Sequence, residues 1–134
     1  MTVMRTETVE LRNERDIVMA RQLVRKLSQE AGFSLVDQTK MVTAASELAR
    51  NTVTYGHGGV LVWELLADGI RKGVRLSFRD EGPGIADISL AMTDGWTSGG
   101  GLGMGLTGAK RLVNEFELDT APGRGTRVTI TRWK

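Results

Sequence analysis

Apolar residues recur along the chain with two different spacings, and each change of spacing marks a new element. From Thr6 to Leu11 apolar and polar positions alternate, with Val9 and Leu11 on one face, which predicts an opening strand. Asn13 then stands where a helix N-cap would, with Asp16 three residues on. Behind it Ile17, Ala20, Val24, Leu27 and Ala31 form a stripe at helical spacing, and Gly32 supplies the stop. Ser34 and Asp37 repeat the capping pattern and predict a longer second helix reaching Thr54. Its buried side would be Leu35, Val42, Ala45, Ala49 and Val53.

Gly56-His-Gly-Gly reads as a turn, Val60 to Leu66 as a strand, and Asp68-Gly69 as the next turn. Val74, Leu76 and Phe78 are the inward face of a further strand, which delivers Asp80 on the same parity at its C-terminal end. A weak short helix near Asp87–Met92 precedes the glycine run Gly99–Gly105. A helix of about Met104 to Phe116 follows, with Leu106, Ala109, Leu112, Val113 and Phe116 inward. Strands near Glu117–Thr120 and Thr126–Arg132 close the chain. The order β-α-α-β-β-α-α-β-β predicts one domain over residues 1–134, an α/β two-layer sandwich with a mixed sheet and helices on one face.

Composition narrows the chemistry. With no cysteine, thiolate metal sites, iron–sulfur clusters and disulfides are excluded, and one histidine, His57, leaves no His-rich metal site. The 18 basic and 16 acidic residues nearly balance, which disfavours nucleic acid and anionic membrane as partners. No apolar run approaches a membrane span and the N-terminus has no apolar core, so the expectation is a cytoplasmic protein. Glycine is the outlier: 17 in 134 residues, thirteen of them between Gly56 and Gly105, against a usual share of about 7%. That clustering calls for sharp bends or bare backbone close to a ligand.

Four local patterns could carry chemistry. Glu47 and Asn51 stand at i and i+4, with Arg50 beside them, so a carboxylate and a carboxamide share one helix face. Such a pair suits a base next to a Mg²⁺ ligand, or it is a solvated face. In Asp80-Glu-Gly-Pro-Gly-Ile a carboxylate leaves an apolar strand face, followed by Gly82 and Gly84 around a proline. It could accept a hydrogen bond from an exocyclic amine such as adenine's, or form an ordinary turn. Gly99-Gly-Gly-Leu-Gly-Met-Gly-Leu runs into a helix, so bare N–H groups and the positive helix end can converge on phosphate. Gly103-x-Gly105-x-x-Gly108 lacks the strand that a dinucleotide fingerprint needs, and no Gly-Lys-Ser/Thr ends a P-loop. Gly125-Thr126 opens the last strand, where a hydroxyl could meet the phosphates or Asp80, or simply end a hairpin turn. His57 reads as a surface imidazole and Trp63 as core, while Trp96 could contact a lid or a partner. Arg124, Arg127 and Arg132 form either a docking face or a solvated strand edge.

Taken in order, Glu-x-x-x-Asn on a helix, Asp-x-Gly-x-Gly after a strand, Gly-x-Gly-x-Gly opening a helix and a final Gly-Thr resemble the GHKL ATPase and kinase superfamily, built on the Bergerat fold. Ser46-Glu-Leu-Ala-Arg-Asn51, Asp80-Glu-Gly-Pro-Gly-Ile85 and Trp96-Thr-Ser-Gly-Gly-Gly-Leu-Gly-Met-Gly-Leu106 look most like the RsbT-type serine/threonine kinases of the bacterial stressosome. That resemblance implies ATP and Mg²⁺, Glu47 as general base, Asn51 as metal ligand and Asp80 as adenine reader. It also implies Gly82, Gly84, Gly101, Leu102, Gly103, Gly105 and Thr126 as nucleotide contacts. Its implied partners are STAS-domain scaffold proteins as substrates and a PP2C-type phosphatase activated on release, within a large hetero-complex regulating a sigma factor. The alternative is an anti-sigma-factor-like or regulatory binding module in which nucleotide only tunes docking. A histidine kinase would need a phosphoacceptor helix, which points to an acceptor on another protein. The sixteen residues between Gly84 and Gly101 leave little room for a lid, which predicts modest nucleotide affinity in the isolated protein.

Overall fold

The computed structural model describes residues 1–92 and 102–134. Along the chain lie β1 (Thr2–Leu11), α1 (Glu14–Glu30), α2 (Leu35–Thr54), β2 (Gly59–Asp68), β3 (Arg71–Asp80), α3 (Ile88–Ala91), α4 (Leu102–Arg111), β4 (Glu115–Thr120) and β5 (Thr126–Trp133). Both helix starts form as their caps dictate. The Asn13 side chain accepts the Asp16 N–H at 3.1 Å, and Asp16 in return accepts the Arg12 N–H at 2.8 Å. Ser34 Oγ accepts the Asp37 N–H at 3.1 Å. Gly32, at φ +81°, reverses the chain between the two helices.

The five strands form one sheet in the order β1-β2-β3-β5-β4. On its core face Leu61, Trp63, Leu76, Phe78 and Ile130 meet Ile17, Val24, Leu27, Met41 and Leu48 of the helices. The opposite face is polar: Glu64 pairs with Arg75 at 3.5 Å, and the Ser77 and Thr129 hydroxyls lie 3.1 Å apart. The helices therefore cover one face, as the pattern of apolar residues predicts. No helix among the described residues is long and apolar enough to cross a membrane.

The sheet is not mixed: every neighbouring pair is antiparallel. The reason lies in the connections. α1 and α2 run out and back, so the chain re-enters the sheet at the end it left, and β2 runs against β1. β3 and β4, joined through a helical crossover, do share a direction, but β5 lies between them.

Two boundaries also differ from the periodicity. Burial of α2 begins at Met41, and Leu35 is 71% exposed because none of the described residues covers that face at the first turn. α4 stops at Arg111 rather than near Phe116. The Asn114 N–H goes to the Thr131 carbonyl at 3.0 Å, and Phe116 pairs with Ile130 in the sheet. Tertiary pairing with β5 overrides the helical spacing of Leu112, Val113 and Phe116.

These differences set up a paired test. Leu76→Ala, at a fully buried position, is expected to lower unfolding free energy by about 2–5 kcal/mol. Leu35→Ala is expected to change it by less than about 0.5 kcal/mol. Urea unfolding measures both, and comparable losses would put Leu35 back in the core.

Candidate nucleotide-binding site

Between the last turns of α2 and the ends of β3 and β5 lies a cavity of ≈ 360 Å³, bordered also by the loop after β3 and by α4. Leu48, Phe78, Leu106 and Val128 give it apolar walls, and Asn51, Asp80 and Thr126 are polar groups facing it. An apolar slot with a few convergent polar groups is the form that binds a planar base.

Asp80 ends β3 on the core-facing parity, directly opposite Thr126 of β5. Its Oδ1 accepts the Gly82 N–H at 2.9 Å, and the Thr126 backbone N–H also donates to the carboxylate. Burial pushes the carboxyl above the ordinary aspartate range, with those two donors and the charge of His57 pulling part of the way back. The group is thus a half-buried acceptor, fixed in direction by backbone.

That placement depends on Gly125 and on a glycine outside the motifs, Gly56. A Cβ on Gly56 would overlap the Asp80 carboxyl, and one on Gly125 would overlap the Asp80 carbonyl oxygen. The cluster Gly56-His-Gly-Gly was the available signal, and as a turn alone it concealed this contact. His57, inside that turn, adopts φ +61°.

Of the two glycines around Pro83, only Gly84 lines the cavity. Gly82 lies against Gly56, whose Cα would be 2.8 Å from an added Cβ, and it reaches the site only through its N–H to Asp80. Gly84 has φ +75° and packs on the Ala121 carbonyl. Both serve close backbone packing.

Asn51 faces the cavity from α2, and among the described residues its buried Nδ2 has no hydrogen-bond partner. A Cβ at residue 105 would sit 2.9 Å from that nitrogen, so Gly105 is what lets α4 approach it. A buried amide left open in this way fits a missing ligand: turned one way it donates to a phosphate oxygen, turned the other it offers oxygen to a cation. Among the described residues no three His, Asp or Glu side chains cluster as a metal cage. A magnesium ion here would rest on Asn51 and phosphate oxygens, the arrangement this cation commonly takes with nucleotides.

Glu47 stands one turn before Asn51, exposed and outside the cavity lining. Leu102 and Gly103 open α4. Gly101, Gly99, Gly100 and Trp96 lie outside the described residues. Trp63 is buried, as expected. Arg132 is structural: it ties β5 to Asp37 at 2.7 Å and to the Leu112 carbonyl at 2.8 Å. Arg127 pairs with Asp119 at 3.1 Å.

The family of histidine kinase-, DNA gyrase B- and HSP90-like ATPases matches residues 36–134, a stretch that holds every one of these groups. The chain belongs to this family. ATP is accordingly the nucleotide it uses. Over 125 residues it is 46% identical to the serine/threonine-protein kinase RsbT of Bacillus subtilis (strain 168), covering 93% of this chain and 94% of that one. It is 28% identical over 120 residues to the anti-sigma F factor of Thermoanaerobacter sp. (strain X514), covering 85% and 82%. The crystal structure of the RsbU and RsbW domains of a Mycobacterium tuberculosis protein shares the fold. Its TM-score is 0.64 at 23% identity, over 96% of this chain and 32% of that one.

A family ATP site with a half-buried aspartate gives a two-sided expectation. With Asp80 as the adenine acceptor, Asp80→Asn should lower ATP and ADP affinity about 10- to 100-fold. The carboxyl is raised in the folded state, so it takes up its proton more readily folded than unfolded. Ionised Asp80 therefore costs stability above that window, and the cost disappears as pH falls through it. At neutral pH the variant should melt no lower than wild type. Calorimetric titration and thermal melts check both; weak binding caused by a collapsed fold would appear as a lowered Tm. In wild type, adenine binding should weaken on acidification before ordinary aspartates protonate.

Proposed function

We propose that this protein serine/threonine kinase transfers the ATP γ-phosphate to STAS-domain scaffold proteins in a bacterial stress-signalling complex. When released, it activates a PP2C-type phosphatase, working in the cytoplasm within a large hetero-complex. The observation that carries this reading is the 46% identity to RsbT over nearly the whole of both chains. The cavity faced by Asn51, Asp80 and Thr126 supports it.

Asp80 accepts the adenine amine, and Gly84 and Thr126 border the base, with Gly82 steadying Asp80. Leu102, Gly103 and Gly105, at the positive start of α4, receive the phosphates together with Gly101. Asn51 would hold Mg²⁺, which would neutralise phosphate charge when bound. Glu47 is the general base. The acceptor hydroxyl oxygen bonds to the γ-phosphorus as the bond to the ADP oxygen breaks, and the Glu47 carboxylate takes the hydroxyl proton. Its exposure outside the cavity suits this role, because the hydroxyl arrives on another protein. Catalysis is otherwise positioning and charge neutralisation.

A second reading is favoured by the likeness to an anti-sigma F factor: a docking module in which nucleotide only tunes partner binding. Glu47→Ala separates the two. Under the kinase reading, transfer of labelled phosphate to a STAS-domain scaffold protein should fall about 10²- to 10⁴-fold with ADP affinity unchanged. Undiminished transfer removes Glu47 as the base. Wild-type protein that docks to its partner and transfers nothing supports the second reading.

A further inference from the structure

Arg50 lies within reach of two carboxylates. Glu47 is three residues before it on the same helix, a spacing at which side chains meet. Glu14 opens α1 and faces it across the helix pair. The guanidinium is taken by Glu14, whose two oxygens accept from Arg50 at 3.1 and 3.0 Å. Among the described residues Glu47 makes no ion pair. The contact is felt at both ends: the Arg50 hydrogen bonds hold the Glu14 carboxyl below its ordinary range. Glu14, and more weakly Glu47, hold the guanidinium above its own.

All three side chains are exposed, and an exposed ion pair adds little to stability. Its consequence is where it puts the charge. A two-pronged guanidinium on Glu47 would occupy the very lone pairs that must take a proton. On Glu14, the same group is parked one helix away while Asn51, the next residue along, still faces the cavity.

We propose that Glu14 is a positioning residue: by clamping Arg50 it keeps that guanidinium off Glu47 and leaves the Glu47 carboxylate open to the incoming hydroxyl. The effect on transfer rests on Glu47 being the base. The competition of two carboxylates for one guanidinium does not.

The test uses the full chain as wild type, Glu14→Gln, Arg50→Gln and the double variant, with thermal melts to show that each is folded. A crystal structure of Glu14→Gln should show Arg50 turned onto Glu47. With ATP and a STAS-domain scaffold protein as acceptor, its kcat should fall about two- to threefold. That is the loss expected when an exposed helical ion pair of ordinary strength masks the carboxylate. KM for ATP should stay unchanged. Arg50→Gln in the Glu14→Gln background should restore kcat, a rescue that a merely structural clamp would not allow. A Glu14→Gln structure with Arg50 still away from Glu47, or a deficit that persists in the double variant, overturns the proposal. Arg50 on Glu47 with transfer unaltered in every variant supports the clamp and removes Glu47 as the base.

Discussion

The candidate site turns on one requirement: a carboxylate must be half buried at the end of a central strand and still face the cavity. Water would stabilise the charge better than the cavity does, which is why the carboxyl is shifted upward. What holds it there is backbone. The β3–β5 register sets Asp80 opposite Thr126, whose N–H donates to it, and the turn after β3 brings the Gly82 N–H to Oδ1. Space for the group comes from Gly56 and Gly125, where any side chain would overlap Asp80. Strand register, turn geometry and bare glycine backbone on two other segments therefore converge on one side chain.

This convergence explains which parts were legible in the sequence. Local signals gave local structure: the Asn13 and Ser34 caps, the stop at Gly32, and the parity of Val74, Leu76 and Phe78 that delivers Asp80. Interactions between distant segments were not legible. Phe116 fits a helical stripe as well as a strand, and only the Thr131 and Ile130 backbone of β5 decides in favour of the strand. Leu35 has the right spacing for a core residue, but spacing carries no information about whether anything lies opposite. The expectation of a mixed sheet treated direction and adjacency as one property. β3 and β4 do run the same way, and β5 separates them.

Within the site the same division holds. The residue types at Asp80, Asn51 and Thr126 were readable because each carries a polar group at a spacing that places it at an element's end. Gly82 was readable as unusual, but its work is contact with Gly56 and a hydrogen bond to Asp80, and the motif alone suggested contact with the nucleotide. A glycine in a ligand loop and a glycine where two backbones touch look identical in one sequence. What distinguishes them is the atom a Cβ would meet: protein backbone at residues 84 and 125, the Asn51 amide at residue 105.

Thr120 shows how far such control reaches from the chemistry. It lies on the edge strand β4 and carries no recognisable motif. Its hydroxyl accepts the Ile85 N–H at 3.0 Å, donates to the Gly125 carbonyl at 2.8 Å and meets the Thr126 hydroxyl at 2.9 Å. One oxygen thus joins the loop after β3, the β4–β5 turn and the start of β5, the three backbone segments that surround Asp80. Gly84 must pack on Ala121, and Gly125 on Asp80, for those hydrogen bonds to close together. A carboxylate that water would otherwise solvate is kept in a fixed direction because the loops around it cannot shift independently. The edge hairpin of the sheet is therefore part of the candidate nucleotide site, although of its residues only Thr126 and Val128 face the cavity.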